Sequence, residues 1–292
     1  MAYAPIPASV PPDWPMRDAS RFIHVSPHLW HVQVTGTGPL ILLLHGTGAS
    51  THTWRALAPL LAQHFTVVMP DLPGQGFTRL GDRARCGLDP VAEDIAALCA
   101  AEDWTPCAII GHSAGAAIAL RLAELLPVRP RAIVGINAAL ANFDGVQGVI
   151  FPILARLLAL NPLVPALFAR LGGTEAQVKR LLASTGSQID AQGRRYYQRL
   201  VQDPAHVDGT LAMMAQWSLD GLNARLPLIE TPVLFLTGSA DRAVPPSVSA
   251  EAARRMPHSE LVELAGLGHL IHEEAPDRTM AAIRTFLLRS GV

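Results

Sequence analysis

"CAIIGHSAGAAIALRLAELL" (residues 107–126) places a short apolar run, a Gly-x-Ser-x-Gly turn and a long apolar helical pattern directly in succession. A run such as "CAII" suits a strand buried on both faces, and the small-residue-rich stretch after it suits a helix packed on a sheet. Gly111 and Gly115 would let the chain reverse sharply between the two, lifting Ser113 clear at the tip. The pentapeptide alone decides little, because roughly one chain in ten of this length carries such a match by composition alone. The alternative is close packing of helix on strand with an incidental serine. Ser113 counts as a candidate nucleophile only if the chain supplies a base, an acid and oxyanion donors in a compatible order.

Working outward, buried strands alternate with helices. Strand patterns lie at "WHVQV" (30–34), "LILLL" (40–44), "TVVMP" (66–70) and "RAIVGIN" (131–137), and helical ones at "WRALAPLLAQHF" and "DPVAEDIAALCAAE". The rhythm stops near residue 140 and resumes with "PVLFLTG" (232–238), "PPSVSAEAARRM", "ELVEL" (260–264) and a closing helix, "APDRTMAAIRTFLLRS". Between these, helical segments with Pro and Gly breaks replace strands: "VIFPILARLLAL", "PLVPALFARL", "EAQVKRLLAS", "AQGRRYYQRLVQ" and "PAHVDGTLAMMAQW". The expectation is an α/β fold with a mostly parallel central sheet flanked by helices. Its core would comprise residues 21–139 and 226–292, with a helical insertion over 140–225.

The chain has 292 residues, half of them hydrophobic and 16% charged, so it can bury a large core. A net charge of -1 offers no basic face for nucleic acid. "MAYAPIPASVPPDWP" lacks the basic and apolar blocks of a signal peptide and reads as a proline-rich arm over 1–20, loosely ordered or lying on the surface. Cys86, Cys99 and Cys107 have no C-x-x-C spacing and read as reduced core thiols. No apolar run is long enough to span a bilayer. The expected location is the cytoplasm, at most peripheral to a membrane.

The partners Ser113 needs occur in order. Asp241 lies three residues beyond the strand ending at Gly238, in "GSADRAVPP". An Asx turn is its alternative role, and Asp144 is the alternative acid. His269 lies in the glycine-rich "GLGH" after the last strand. His272, three residues on, reads as a solvated or capping residue near the closing helix. The oxyanion donors would be the N–H groups of Ala114 and of Thr47, in the "HGTGAS" loop. His45 reads as a packing residue beneath that loop, and His112 as a pocket or packing residue. Both are candidates for the pocket wall, together with a soft apolar cluster of Met213, Met214 and Trp217. The glycines match neither a dinucleotide loop nor a phosphate loop, and the eleven histidines form no recognisable metal set. No metal or cofactor is expected. A serine, not an aspartate, at position 113 argues against dehalogenase or epoxide hydrolase chemistry.

The order Ser113, Asp241, His269 resembles that of α/β-hydrolases, and the resemblance covers nearly the whole chain. It narrows further through "DLPGQGFTR" (71–79), "INAAL" (136–140), "LLALNPLVPALFA" (157–169), "TGSQID" (185–190), "QDPAHV" (202–207) and "GLGHLIHEE" (266–274). These stretches are similar to the magnesium chelatase accessory proteins of bacteriochlorophyll biosynthesis. The resemblance implies an α/β-hydrolase fold with a helical cap after the sixth strand, and work near the insertion of magnesium into a tetrapyrrole. It implies an ester or a tetrapyrrole as small-molecule partner and magnesium chelatase subunits as protein partners. The first part of the cap, 148–171, is apolar nearly all round with Arg156 its one interior charge. Such a stretch suits a lid, a wall for a bulky apolar substrate, or contact with a membrane surface.

Overall fold

The computed structural model describes residues 10–141 and 163–292. Eight strands form one sheet: β1 (Ser20–Val25), β2 (His28–Thr35), β3 (Leu40–Leu44), β4 (Thr66–Pro70), β5 (Ala108–His112), β6 (Ala132–Ile136), β7 (Val233–Gly238) and β8 (Ser259–Leu264). Their order is β1-β2-β4-β3-β5-β6-β7-β8. β2 pairs antiparallel with both β1 and β4, and every other pairing is parallel. This is the expected α/β fold with a mostly parallel sheet.

The continuous apolar runs divide by residue parity between two layers. Leu42, Leu44, Ile109, Ile133 and Phe235 face α2 (Leu88–Ala101) and α3 (Ala114–Leu125), through Ile95, Leu98, Ile118 and Leu122. Ile41, Leu43, Ile110, Val134 and Leu236 face α1 (Leu57–Leu61) and the C-terminal helix, through Leu57, Leu61, Ile283 and Phe286. Each such side chain, fully removed from water, contributes roughly 1.5–3 kcal/mol. A strand sandwiched in this way has no wet face, which is why "LILLL" carries no polar alternation.

Between β6 and β7 the described chain forms α4 (Leu163–Gly172), α5 (Glu175–Ser184), α6 (Ala191–Gln202), α7 (Pro204–Gln216) and α8 (Asp220–Arg225). Side-chain caps start three of them: Thr174 in a capping box, Asp190 on Gly193 N–H and Asp203 on Ala205 N–H. After β7 come α9 (Pro246–Arg255), the short α10 (Ile271–Glu274) and the C-terminal helix α11 (Pro276–Arg289). No described helix is long and apolar enough to cross a membrane. The helical pattern at 149–160, Arg156 and the alternative acid Asp144 lie outside the described residues.

Three expectations change. The sheet has an edge strand, β1, that the sequence did not reveal: its exposed and half-buried positions give neither an apolar run nor a clean alternation. The helix expected over 54–65 shrinks to a 3-10 turn, Thr51–Trp54, and the five residues of α1, which carries Pro59 in its first turn. The N-terminal arm is not loose over its described part. Trp14 is 3% exposed and packs edge-on against Phe77 and Tyr196. Asp13 holds Arg199 with both carboxylate oxygens, and its carbonyl accepts from Tyr196 Oη at 3.1 Å. Residues 10–19 therefore strap α6 to the core. Cys86 and Cys99 are buried, Cys107 is half-buried, and all three are unbridged.

Candidate active site

Ser113 separates β5 from α3 with φ 54° and ψ -117°, a conformation that L residues rarely adopt. The glycines around it are required by space. A Cβ on Gly111 would collide with the Gly115 carbonyl, and one on Gly115 with the carbonyls of Leu44 and His45. The turn is fastened by Ser113 N–H to the Ile136 carbonyl at 2.9 Å and by Ala139 N–H to the Ser113 carbonyl at 3.2 Å. Ala114 opens α3, so its N–H belongs to a first turn that lacks intrahelical acceptors.

The loop after β3 passes directly against this turn. A Cβ on Gly46 would lie 2.9 Å from His112 Nδ1 and 3.0 Å from Ser113 Cβ. Two of the N–H groups in this loop have partners: Gly48 donates to Gln75 Oε1 at 2.8 Å and Ala49 to the Gly46 carbonyl at 3.1 Å. Thr47 sits between Gly46 and Gly48, and its hydroxyl donates to Met213 Sδ at 3.4 Å. α7 covers the loop from above. Gln75 Nε2 also meets Met213 Sδ, at 3.1 Å, and His206 Nδ1 accepts from Gly76 N–H at 2.9 Å. Gln75 and His206 were not singled out in the sequence. Both fall in stretches that carry the family resemblance, "DLPGQGFTR" and "QDPAHV".

Asp241 and His269 come together from loops after adjacent parallel strands, β7 and β8. His269 Nδ1 donates to Asp241 Oδ2 at 2.7 Å, with both side chains nearly buried. The other carboxylate oxygen accepts from the N–H groups of Ala243 and Val244 at 2.8 and 2.9 Å. The Asx-turn role considered for Asp241 is therefore present as well, filled by the oxygen that does not meet His269.

Two further imidazoles stack behind His269. His112 lies 4.7 Å from it and His272 lies 4.5 Å from His112, ring centre to ring centre. His112 Nε2 donates to the His269 carbonyl at 2.9 Å, and its Nδ1, bare, has no hydrogen-bond partner. His272 is not solvated, as expected from sequence, but fully buried, with Nε2 donating to Thr53 Oγ1 at 2.7 Å. Thr53 passes the chain to the buried carboxylate of Glu273, which also pairs with Arg55 and accepts from Tyr197 Oη at 2.6 Å. Burial pushes His272 down to about 3, reinforced by the neighbouring His269 and Arg55. Burial likewise holds His112 well below the usual histidine range. Both rings are therefore neutral at pH 7 and put no second positive charge against His269. Burial raises the Glu273 carboxyl, although Arg55, Tyr197 and Thr53 pull it the other way.

The suggested pocket residues divide. Met213 lies over the Thr47 loop and Met214 is half-buried on α7. Trp217 is half-buried against the α2 and α3 layer. His45 has no exposed surface and so forms no wall. Its Nδ1 donates to the Gly46 carbonyl at 2.8 Å and its Nε2 accepts from Leu72 N–H at 2.9 Å, stapling two loops. Among the described residues, no cluster of three or more His, Cys, Asp or Glu side chains could hold a metal ion.

A mostly parallel sheet, a serine on a strained strand-to-helix turn and a paired Asp and His on later loops together define a recognisable class. The chain belongs to the α/β hydrolase fold family, whose model matches residues 39–276. It is 50% identical over 283 residues to the magnesium-chelatase 30 kDa subunit of Rhodobacter capsulatus, covering 96% of this chain and 99% of that protein. It is 31% identical over 265 residues to the pimeloyl-[acyl-carrier protein] methyl ester esterase of Stenotrophomonas maltophilia (strain K279a), covering 88% and 96%. The crystal structure of an alpha/beta hydrolase fold protein from Burkholderia ambifaria superposes with a TM-score of 0.75 at 24% identity, covering 90% of this chain and 96% of that one.

Proposed function

We propose that this protein is a serine hydrolase that transfers the acyl group of a carboxylic ester to water through Ser113, in association with the magnesium-insertion step of bacteriochlorophyll synthesis. The observation that carries the chemistry is the 2.7 Å bond from His269 Nδ1 to Asp241 Oδ2, on loops beside the strained Ser113 turn. With its Nδ1 proton held by Asp241, His269 keeps the Nε2 lone pair for use as a base. It takes the Ser113 Oγ proton as Oγ attacks the ester carbonyl. The N–H groups of Thr47 and Ala114 receive the oxyanion. The imidazolium then protonates the departing alcohol, leaving an acyl-serine. A water molecule, deprotonated by His269, releases the acid and restores Ser113.

The substrate in this reading is bulky and apolar. The described helices between β6 and β7 act as a cap, in which the half-buried Met214 adapts to an irregular apolar surface. The esterase relative supports ester chemistry, and the chelatase-subunit relative supports the pathway. A porphyrin methyl ester satisfies both. The protein works in the cytoplasm, with the cap as its contact to any membrane surface. Turnover of p-nitrophenyl and porphyrin methyl esters by the protein and by Ser113→Ala tests the proposal. The variant should lose turnover while keeping its fold, and equal turnover by both would overturn the reading.

One observation favours a second reading. The 50% identity extends over the full length of a protein named for a chelatase. On this reading the hydrolase scaffold binds a tetrapyrrole or docks on chelatase subunits without catalysis. It predicts a Soret shift on porphyrin titration that survives Ser113→Ala, in a protein without esterase activity.

A further inference from the structure

The "TGSQID" stretch, between α5 and α6, touches both neighbours of Asp241 and both neighbours of His269. Gly186 has φ +86°, and a Cβ there would collide with the carbonyl of Ala240, the residue before Asp241. The Thr185 carbonyl accepts from the N–H of Arg242, the residue after it, at 3.1 Å. A Cβ on Gly268, the residue before His269, would collide with the backbone of Gly186 and Ser187. Ser187 Oγ accepts from the N–H of Leu270, the residue after His269, at 2.9 Å. Gln188 N–H donates to Glu274 Oε2 at 3.0 Å, while Glu274 Oε1 accepts from Gly268 N–H at 3.1 Å. A segment inserted between β6 and β7 thus closes a ring of backbone contacts around two loops that belong to β7 and β8.

We propose that the 185–188 turn is a positioning element for the Asp241–His269 pair: it sets the separation and orientation of the two loops. Ser187 is its key side chain, since it alone in the turn bonds the base loop through a hydroxyl, and it is buried. This rests on the reading of Ser113, Asp241 and His269 as a hydrolytic set. A segment that only covered substrate would act on binding, whereas one that aligns base with acid acts on the rate constant. Misplacement of a catalytic group by about 1 Å can cost about a hundredfold in rate.

The test compares the native protein with Ser187→Ala and Tyr196→Phe. Tyr196→Phe removes a hydrogen bond of the insertion to the N-terminal arm and touches neither loop. Three readouts are taken: kcat and KM for p-nitrophenyl acetate, the rate of phosphonylation of Ser113 by a fluorophosphonate, and the far-downfield proton resonance of His269 Nδ1–H, assigned by its loss in His269→Gln. In Ser187→Ala, kcat and the phosphonylation rate should fall about tenfold with KM within about twofold. The resonance should move upfield or broaden, and Tyr196→Phe should match the native protein on all three. Native kcat and resonance in Ser187→Ala would overturn the proposal, as would an equal loss in Tyr196→Phe. If the native protein is inert to both probes, the hydrolytic reading fails. The resonance then decides alone: a shift in Ser187→Ala supports positioning of the pair, and an unchanged line refutes it.

Discussion

Ser113 holds a backbone conformation that costs of order 1–3 kcal/mol for a residue with a side chain, so its neighbours must hold it there. Gly115 shows how. Its missing side chain lets α3 start against the carbonyls of Leu44 and His45, backbone atoms at the end of central strand β3 and in the residue that follows it. Gly115→Ala should therefore cost about 3 kcal/mol or more in urea unfolding, at the severe end for a single methyl. Native-like stability of that variant would contradict the packing described. At this scale the residues were unevenly legible. Ser113, Asp241 and His269 each stand beside a glycine or turn signal after an apolar run, which a sequence can show. The stacking of His112 and His272 on the His269 side cannot be read there, because His112 meets residues 157 and 160 positions away. Three residues past the base, His272 looked like a helix-approach residue. Tertiary packing, not local pattern, buries it on Thr53.

Elements were legible where burial was symmetric. The five inner parallel strands are uninterrupted apolar runs and lie within a residue or two of their expected bounds. β1 was missed because its two buried positions lie three residues apart, which gives neither an apolar run nor the alternation of a half-buried strand. Of the two readings of the arm, the loose one fails over residues 10–19, where a single tryptophan anchors it to the surface of the core. Trp14 sits edge-on to His52, Phe77 and Tyr196, joining the arm, the core and α6. Trp14→Ala should lose about 3–5 kcal/mol, read as a lower thermal midpoint, and should free α6 before the sheet unfolds. Loss of α6 protection in hydrogen exchange at unchanged sheet protection would show that order. An unchanged midpoint would mean that the arm carries no load.

Across the whole molecule, buried neutral histidines set the response to acid. Burial lowers His206 to about 4 and His272 to about 3, from an ordinary value of 6.5, and lowers His45, His52 and His112 as well. Below pH 6.5 the unfolded chain binds protons that the folded chain refuses, so stability falls as pH falls. The loss runs from 6.5 down to about 4 for His206 and about 3 for His272. Each contributes roughly 2 kcal/mol of loss between pH 6.5 and 5, at about 1.4 kcal/mol per pH unit. Unfolding free energies from urea titrations at pH 7.5 and 5 should differ by several kcal/mol, with the lower value at pH 5, and a flat profile would refute neutral burial. His45 reads from sequence as packed beneath its own loop, whereas no local pattern marks His52, His206 or His272 as buried.

The activation of Ser113 is tested most directly by intact-mass analysis after incubation with a fluorophosphonate, comparing the native protein with Ser113→Ala. One adduct on the native protein and none on the variant is the expected result, requiring a nucleophilic serine, a working base and oxyanion donors together. No adduct on the folded native protein, or the same adduct on both, would contradict a hydrolytic role for Ser113.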